Sequence, residues 1–288
     1  MKKWICRSFS VLFLVLLTGC GSSVSEEVEV SAAKPVEMEM SVEAPVEPST
    51  ESEKVQEEEE EILEQTAPPE VELEEESATN GYLVVIDAGH QQKGNSEKEP
   101  IGPGAAQTKA KVTGGTTGRT TGLKEYELNL QVALKLEKIL QERGYEVLMV
   151  RTVHEVNMSN SERAAVANEA DADVFIRIHA NGSDNSSVNG AMTICQTRSN
   201  PYNGELYEQS RALSDCVLEA FVEKTGAKKQ RVWETDTMSG INWANVPTTI
   251  VEMGYMTNPT EDQNMASEEY QDLMAEGMAD GIDRFLQR

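Results

Sequence analysis

The feature that most limits what this chain can fold into is an acidic segment near its start. Positions 21–80 hold 20 Glu, two Lys and five Pro, with no Asp and no aromatic residue. Runs such as Glu57 to Glu61 and Glu74 to Glu76 repel one another and carry few bulky apolar side chains, so burial cannot offset the entropy of ordering them. The segment is expected to be a disordered tether with a root-mean-square span of about 40–45 Å, lengthened further by charge repulsion. A sizeable core is thereby confined to 81–288, a length that suits one α/β domain. With 50 Asp+Glu against 25 Lys+Arg in the whole chain, no basic face for phosphates is expected, which excludes nucleic acid as a partner.

The first residues read as an address. Lys2 and Lys3 precede an apolar run from Val11 to Leu17, closed by Thr18-Gly19-Cys20. This is the layout of a secretory signal over 1–19, and the run is too short to span a bilayer core of roughly 30 Å. Leu17-Thr18-Gly19-Cys20 resembles the lipobox of bacterial lipoproteins. That resemblance implies cleavage before Cys20, a lipid on its side chain, and a membrane anchor followed by the tether over 20–80. Of the four cysteines, Cys195 and Cys216 then remain in an extracytoplasmic setting that permits a disulfide; the sequence leaves their pairing open.

Beyond position 81, short apolar runs alternate with amphipathic ones. Strands are expected at Tyr82 to Asp87, Tyr145 to Arg151, Asp173 to Ile178, Gly190 to Cys195, Arg231 to Trp233 and Thr248 to Met253. Helices are expected at Glu125 to Arg143, where Leu128, Val132, Leu136, Ile139 and Leu140 keep helical spacing, and at Ser161 to Ala170, Glu205 to Lys224 and Glu268 to Leu286. The alternation predicts an α/β fold, a single domain with a mostly parallel twisted sheet flanked by helices on both faces. Between the first strand and the first helix lies a long stretch rich in Gly, Thr and Lys, read as a loop and a candidate lid over 91–122.

In such sheets the site lies beyond the carboxyl ends of the strands. Those ends carry Asp87-Ala88-Gly89-His90, His179-Ala180-Asn181 and Glu252-Met253-Gly254. Two of the three histidines of the chain thus stand at equivalent strand ends beside a carboxylate. Two His and one Glu with an open fourth position is a common ligand set for catalytic zinc. A further carboxylate can come from the first helix, where Glu125 and Glu127 compete; either also suits a solvated acid at a helix start. The third histidine, His154, reads as a surface residue. Trp233 and Trp243 could border a sugar groove, although core packing is the commoner role. No Gly-x-Ser-x-Gly elbow is present, which disfavours a serine hydrolase.

Four segments, in order, resemble the zinc-dependent N-acetylmuramoyl-L-alanine amidases of the amidase-3 type: Val85-Ile-Asp-Ala-Gly-His90, Glu125-Tyr-Glu-Leu-Asn-Leu130, Ile178-His-Ala-Asn181 and Val251-Glu-Met-Gly-Tyr-Met-Thr-Asn258. Val150-Arg151-Thr152, Arg163 to Asn168 and Ala172-Asp173 support the match, which spans roughly 82–287. Carried over by position, the resemblance implies zinc held by His90, Glu125 and His179, with Glu252 as the catalytic acid/base. It prefers Glu125 to Glu127 because the family's ligand stands four residues before the Asn matched by Asn129. Departures are Ala88 where the family usually has Pro, Gln91-Gln92 where it often has Gly-Gly, and Arg177 where Ser is frequent. Asn181, Arg177 and Asn258 are candidates for binding substrate, with loop capping or an internal ion pair as the alternatives.

The implied reaction is zinc-dependent hydrolysis of the amide between N-acetylmuramic acid and L-alanine in peptidoglycan. The enzyme is expected to be a monomer, lipid-anchored through Cys20 on the extracytoplasmic face of the membrane and reaching the wall on its tether. The rivals are a zinc peptidase or carboxypeptidase acting on stem peptides, which could use the same ligands, and a non-catalytic wall-binding module, which would need neither Glu125 nor Glu252.

Overall fold

A computed structural model describes residues 79–287; the expected signal segment, Cys20 and nearly all of the acidic tether lie outside the described residues. The fold is built on a six-stranded sheet. Its strands are β1 (Leu83–Ala88), β4 (Glu146–Met149), β5 (Val174–Asn181), β6 (Ala191–Cys195), β7 (Lys229–Glu234) and β8 (Thr248–Tyr255), in the order β4-β1-β5-β8-β6-β7. The pairs β4–β1, β1–β5 and β5–β8 are parallel. β6 runs antiparallel to β8 and parallel to β7, so two strands reverse direction at one edge. The expected mixed α/β architecture with a mostly parallel sheet and helices on both faces is present.

Strand parity decides what each face does, because successive side chains point to opposite sides. Val84, Ile86 and Ala88 of β1 and Val174, Ile176 and Ile178 of β5 share one core with Leu128, Val132 and Leu136 of α1 (Glu125–Glu142). The same core takes in Leu213, Val217 and Phe221 of α3 (Tyr207–Thr225) and Met274, Met278 and Ile282 of α6 (Glu268–Leu286). Val85 and Phe175, of opposite parity, pack instead on Ala164 and Ala167 of α2 (Asn160–Glu169). Asp87, Arg177 and His179 share that second parity, so the polar ends of β1 and β5 emerge on the α2 side.

Local signals explain the helix boundaries. Ser159 accepts a hydrogen bond from the Glu162 amide while Glu162 reaches back to the Ser159 amide, a reciprocal cap that starts α2. After α1 the chain turns at Gly144, whose φ of +83° suits glycine.

The stretch read as a loop holds a hairpin, β2 (Asn95–Pro100) and β3 (Thr108–Val112). Its Asn-Ser-Glu-Lys-Glu-Pro strand lacks the β-branched and aromatic residues that announce a strand. The hairpin is instead pinned by distant partners. Glu99 is buried and accepts hydrogen bonds from the Asn160 and Ser161 amides and the Ser161 hydroxyl at the start of α2. Asn160 donates to the Lys111 carbonyl, and Trp243 Nε1 donates to the Pro100 carbonyl. Two short helices also escaped the sequence reading, α4 (Ser239–Asn242) and α5 (Pro259–Met265). Cys195 and Cys216 are both buried, and burial pushes the Cys195 thiol up to about 11.

Beneath the site lies a buried ion cluster. Asp87 is fully buried between Arg163 (Nη1 to Oδ1, 2.6 Å) and Arg177 (Nη2 to Oδ2, 2.8 Å). Burial works against its charge, but the two guanidinium groups prevail and hold the carboxyl well below the usual carboxylate range. Arg163 also donates to the carbonyls of Ala88 and His90 and to Gln91 Oε1. Replacing it by Met therefore strands several buried acceptors at once. Arg163→Met should lower stability by about 3–5 kcal/mol, measured as a shift in the urea midpoint.

Candidate metal centre

Three of the expected residues meet at one point. His90 follows β1, His179 stands near the end of β5, and Glu125 opens α1; one ligand atom from each lies within 4.8 Å of the others. His90 Nε2 is 3.0 Å and His179 Nδ1 is 3.2 Å from the same oxygen, Glu125 Oε1. The imidazoles meet edge to face, with centroids 4.8 Å apart. Donor atoms around a tetrahedral zinc ion, at arms of about 2.0–2.1 Å, stand roughly 3.3 Å apart. The His90 and His179 separations from Glu125 match that spacing.

The surroundings orient each group. His90 has φ +61°, a backbone conformation rare outside glycine and typical of a constrained functional position. Its Nδ1 is 2.9 Å from the Thr113 carbonyl, which can only accept. The tautomer with its proton on Nδ1, donated to that carbonyl, presents Nε2 as the atom for a metal ion. Glu125 Oε2 accepts from the Thr116 amide at 2.7 Å, and Oε1 accepts from the Ala180 amide at 3.2 Å. Burial alone would raise the Glu125 pKa, but the two histidines against Oε1 outweigh it and hold the carboxyl well below its ordinary range. Burial lowers His179 to about 4, only partly offset by Glu125, so its imidazole is neutral near neutral pH and has a lone pair to offer.

Glu127, the competing acid, is used elsewhere. It accepts from the Lys124 amide and the Tyr126 hydroxyl, as part of the cap of α1. Glu252 stands beside His179 in the β5–β8 register and borders the same cavity. Its Oε2 is buried with no partner among the described residues. Burial and the neighbouring Glu125 charge push its pKa up to about 8. One carboxylate held ionised and another held near neutrality is the division of labour seen where a ligand and a proton carrier share a site.

Gly89 makes the cluster possible. A Cβ there would run into the His179 ring. Gly89→Ala should therefore displace that imidazole and weaken metal binding about 10–100-fold, the range found for disturbed supports of a ligand, as titrated by metal-dependent fluorescence or elemental analysis.

The other candidates divide. Arg177 lies in the ion pair with Asp87 and also donates to Asn160 Oδ1, yet it borders the cavity next to the cluster. Asn181 borders a second hollow over Glu125, and its Oδ1 accepts from the Gly182 amide. Asn258 caps α5: its Oδ1 accepts from the Thr260 and Glu261 amides and its Nδ2 donates to the Ser186 and Val188 carbonyls. Of the two roles open to it, these contacts are those of the loop cap. His154 is half-buried rather than on the surface, with its ring 5.3 Å from that of Tyr126. Trp233 and Trp243 pack against apolar clusters instead of bordering the cavity. Gln91, one of the departures in the first motif, is buried and takes hydrogen bonds from Arg163 and the Met158 amide. No local pattern announces Thr113 and Thr116, which follow β3 and orient His90 and Glu125.

A family model described as N-acetylmuramoyl-L-alanine amidase (Amidase_3) matches residues 84–284. The uncharacterized protein YqiI of Bacillus subtilis is 29% identical over 205 residues, covering 71% of this chain and 85% of YqiI. The N-acetylmuramoyl-L-alanine amidase LytC of the same organism is 27% identical over 201 residues, covering 70% of this chain but only 35% of LytC. The chain thus spans about a third of that larger relative. Among solved structures, an N-acetylmuramoyl-L-alanine amidase from Clostridium difficile 630 superposes with a TM-score of 0.60 at 27% identity, covering 73% of this chain and 98% of that one. The amidase Ami1 from Mycobacterium smegmatis gives 0.65 at 25% identity, covering 73% and 99%. With the match running through β1, both histidines, Glu125 and Glu252, the chain belongs to the N-acetylmuramoyl-L-alanine amidase family of hydrolases.

Proposed function

We propose that this protein is a zinc-dependent peptidoglycan amidase that hydrolyses the amide joining the lactyl group of N-acetylmuramic acid to L-alanine. The observation that carries the reading is the convergence of His90, Glu125 and His179 beside Glu252, whose Oε2 is buried with no partner among the described residues. His90 Nε2, Glu125 Oε1 and His179 Nδ1 would hold the ion. When bound, zinc supplies a Lewis acid for the scissile carbonyl and lowers the pKa of a coordinated water to about 7.

The remaining work falls to side chains. Glu252, with its pKa pushed up to about 8, is suited to exchange protons near neutral pH. It would take the proton of the attacking water on the free Oε2 and deliver it to the departing L-alanine nitrogen. Glu125, held ionised by its histidine neighbours, keeps its charge through the cycle. Asn181, at the rim of the second hollow, would contact substrate.

The reading is tested by digesting purified peptidoglycan and identifying the new ends. New free α-amines on L-alanine support it. New ends between stem-peptide residues would assign the site to a peptidase instead.

The same proposal extends to location. A lipid on Cys20 would hold the enzyme on the outer face of the membrane, and the acidic tether would let the domain reach the wall. Cys20→Ala should then move the protein from the membrane fraction to the medium or stall its processing, measured by fractionation and intact mass; unchanged fractionation with the same lipid mass would end the anchor proposal.

A further inference from the structure

A cavity of about 400 Å³ opens beside the metal cluster, under the β2–β3 hairpin. His90, His179 and Glu252 form one end of it, Ile194, Ile250 and Met238 line an apolar part, and Lys109 and Arg177 border it with positive charge.

The three buried arginines near this point differ in how their nitrogens are used. Arg151 donates from Nε, Nη1 and Nη2 to backbone carbonyls. Arg163 spends Nε, Nη1 and Nη2 on Met158, Asp87, Ala88, His90 and Gln91. Arg177 uses Nε and Nη2 on Asp87 and Asn160, while Nη1 has no partner among the described residues. That nitrogen lies over Gly240, where any Cβ would collide with it, so the absence of a side chain at Gly240 lets the guanidinium edge reach the cavity. Lys109 Nζ, on the hairpin, donates to the Thr237 carbonyl at 2.6 Å and has no carboxylate partner among the described residues. Asp87 neutralises only one of its two arginine partners. The cavity therefore combines a spare guanidinium N–H pair, an ammonium group and uncompensated positive charge, which is the chemistry of a carboxylate receptor.

The strand position of Arg177 favours a carboxylate close to the scissile amide. Arg177 and His179 share a strand face two positions apart, about 6.4–6.8 Å between their backbone positions along β5. A carboxyl group on the second residue of an extended peptide lies about 6–7 Å from the amide preceding the first residue. Resting on the amidase reading above, we propose that this cavity binds the free α-carboxylate of the second residue of the stem peptide, through Arg177 Nη1 and Lys109 Nζ. The enzyme then selects stem peptides bearing a carboxylate at that position over those bearing its carboxamide.

The test uses the zinc-loaded enzyme and a pair of N-acetylmuramoyl tripeptides whose second residue is a diacid joined to the third through its side-chain carboxyl, identical except that its α-carboxyl is free or is the carboxamide. A charge-assisted pair in a partly buried site predicts a kcat/KM preference for the acid of about tenfold or more. Lys109→Met and Arg177→Lys should each reduce that preference severalfold, whereas Glu127→Gln, at the helix cap, should retain the wild-type ratio. Lys109 is a partly exposed hairpin residue, so its variant stays informative if Arg177→Lys disturbs Asp87 and fails to fold. A third substrate, amidated at both the second residue and the terminal carboxyl, separates the two possible anions: loss confined to blocking the chain end would overturn the assignment. Equal rates on acid and carboxamide, or a preference unmoved by Lys109→Met, would also overturn it while leaving the amidase reading intact. Failure to cleave the lactyl amide in any of these substrates would instead remove the amidase reading, and this inference with it.

Discussion

Glu252→Gln is expected to bind zinc at close to one ion per chain and to lose roughly 100-fold or more in turnover, the scale of general acid–base catalysis. The amide keeps the size of the carboxyl and fits the same space between His179 and the cavity, but it cannot accept a proton. Because Glu252 Oε2 has no hydrogen-bond partner among the described residues, the substitution breaks none of their contacts at that atom. It also removes a carboxyl whose ionisation burial disfavours, so thermal stability should hold or rise. Elemental analysis beside the rate of L-alanine amine release measures both halves. A variant that stays fully active would move the proton-transfer role to another group.

The second large effect belongs to the cluster itself. His90→Ala or Glu125→Ala should lose bound zinc and activity together, since each takes one of three converging donors away. Metal binding is linked to folding, so the thermal midpoint of either variant should drop toward that of chelated wild type and respond little to added zinc. Glu125→Ala further leaves the Thr116 and Ala180 amides without their acceptor, so it should be the less stable of the two. Glu127→Gln is the control: its loss is confined to the cap of α1, worth about 1 kcal/mol, with metal content unchanged. Loss of zinc in Glu127→Gln with retention in Glu125→Ala would overturn the ligand register.

The residues of this centre were legible in the sequence to different depths, for physical reasons. His90 and His179 could be found from strand ends alone, because parallel strands bring their carboxyl ends to one edge. Glu125 could not be separated from Glu127 by helix position, and it took the family resemblance to prefer it. The structure supplies the reason in the Lys124 amide and Tyr126 hydroxyl, which already occupy Glu127. Asn258 follows the capping alternative, and its signal is local: Asn-Pro is the pattern of a cap followed by the first helical residue, and α5 begins there.

The hairpin was illegible for a different reason. Glu99, Pro100 and Lys111 are held by groups at Asn160, Ser161 and Trp243, far along the chain, and no periodicity within 95–112 encodes those contacts. The same distance in sequence hid Thr113 as the partner of His90, and Gly240 as the opening over Arg177. Arg177 itself was legible as an ion pair or a ligand-binding residue; its Nη1 leaves both roles compatible.

The central claim, that His90, Glu125 and His179 hold a zinc ion for hydrolysis of the muramoyl–L-alanine amide, is tested most directly by product analysis across metal removal. Purified peptidoglycan is digested with the protein as isolated, after chelation, and after stoichiometric zinc is returned, and the products are identified by mass spectrometry. The account predicts stem peptides beginning with free L-alanine, their loss on chelation, and their return with about one zinc per chain. Peptides cut between amino acids, or L-alanine release that is indifferent to chelation, would contradict it.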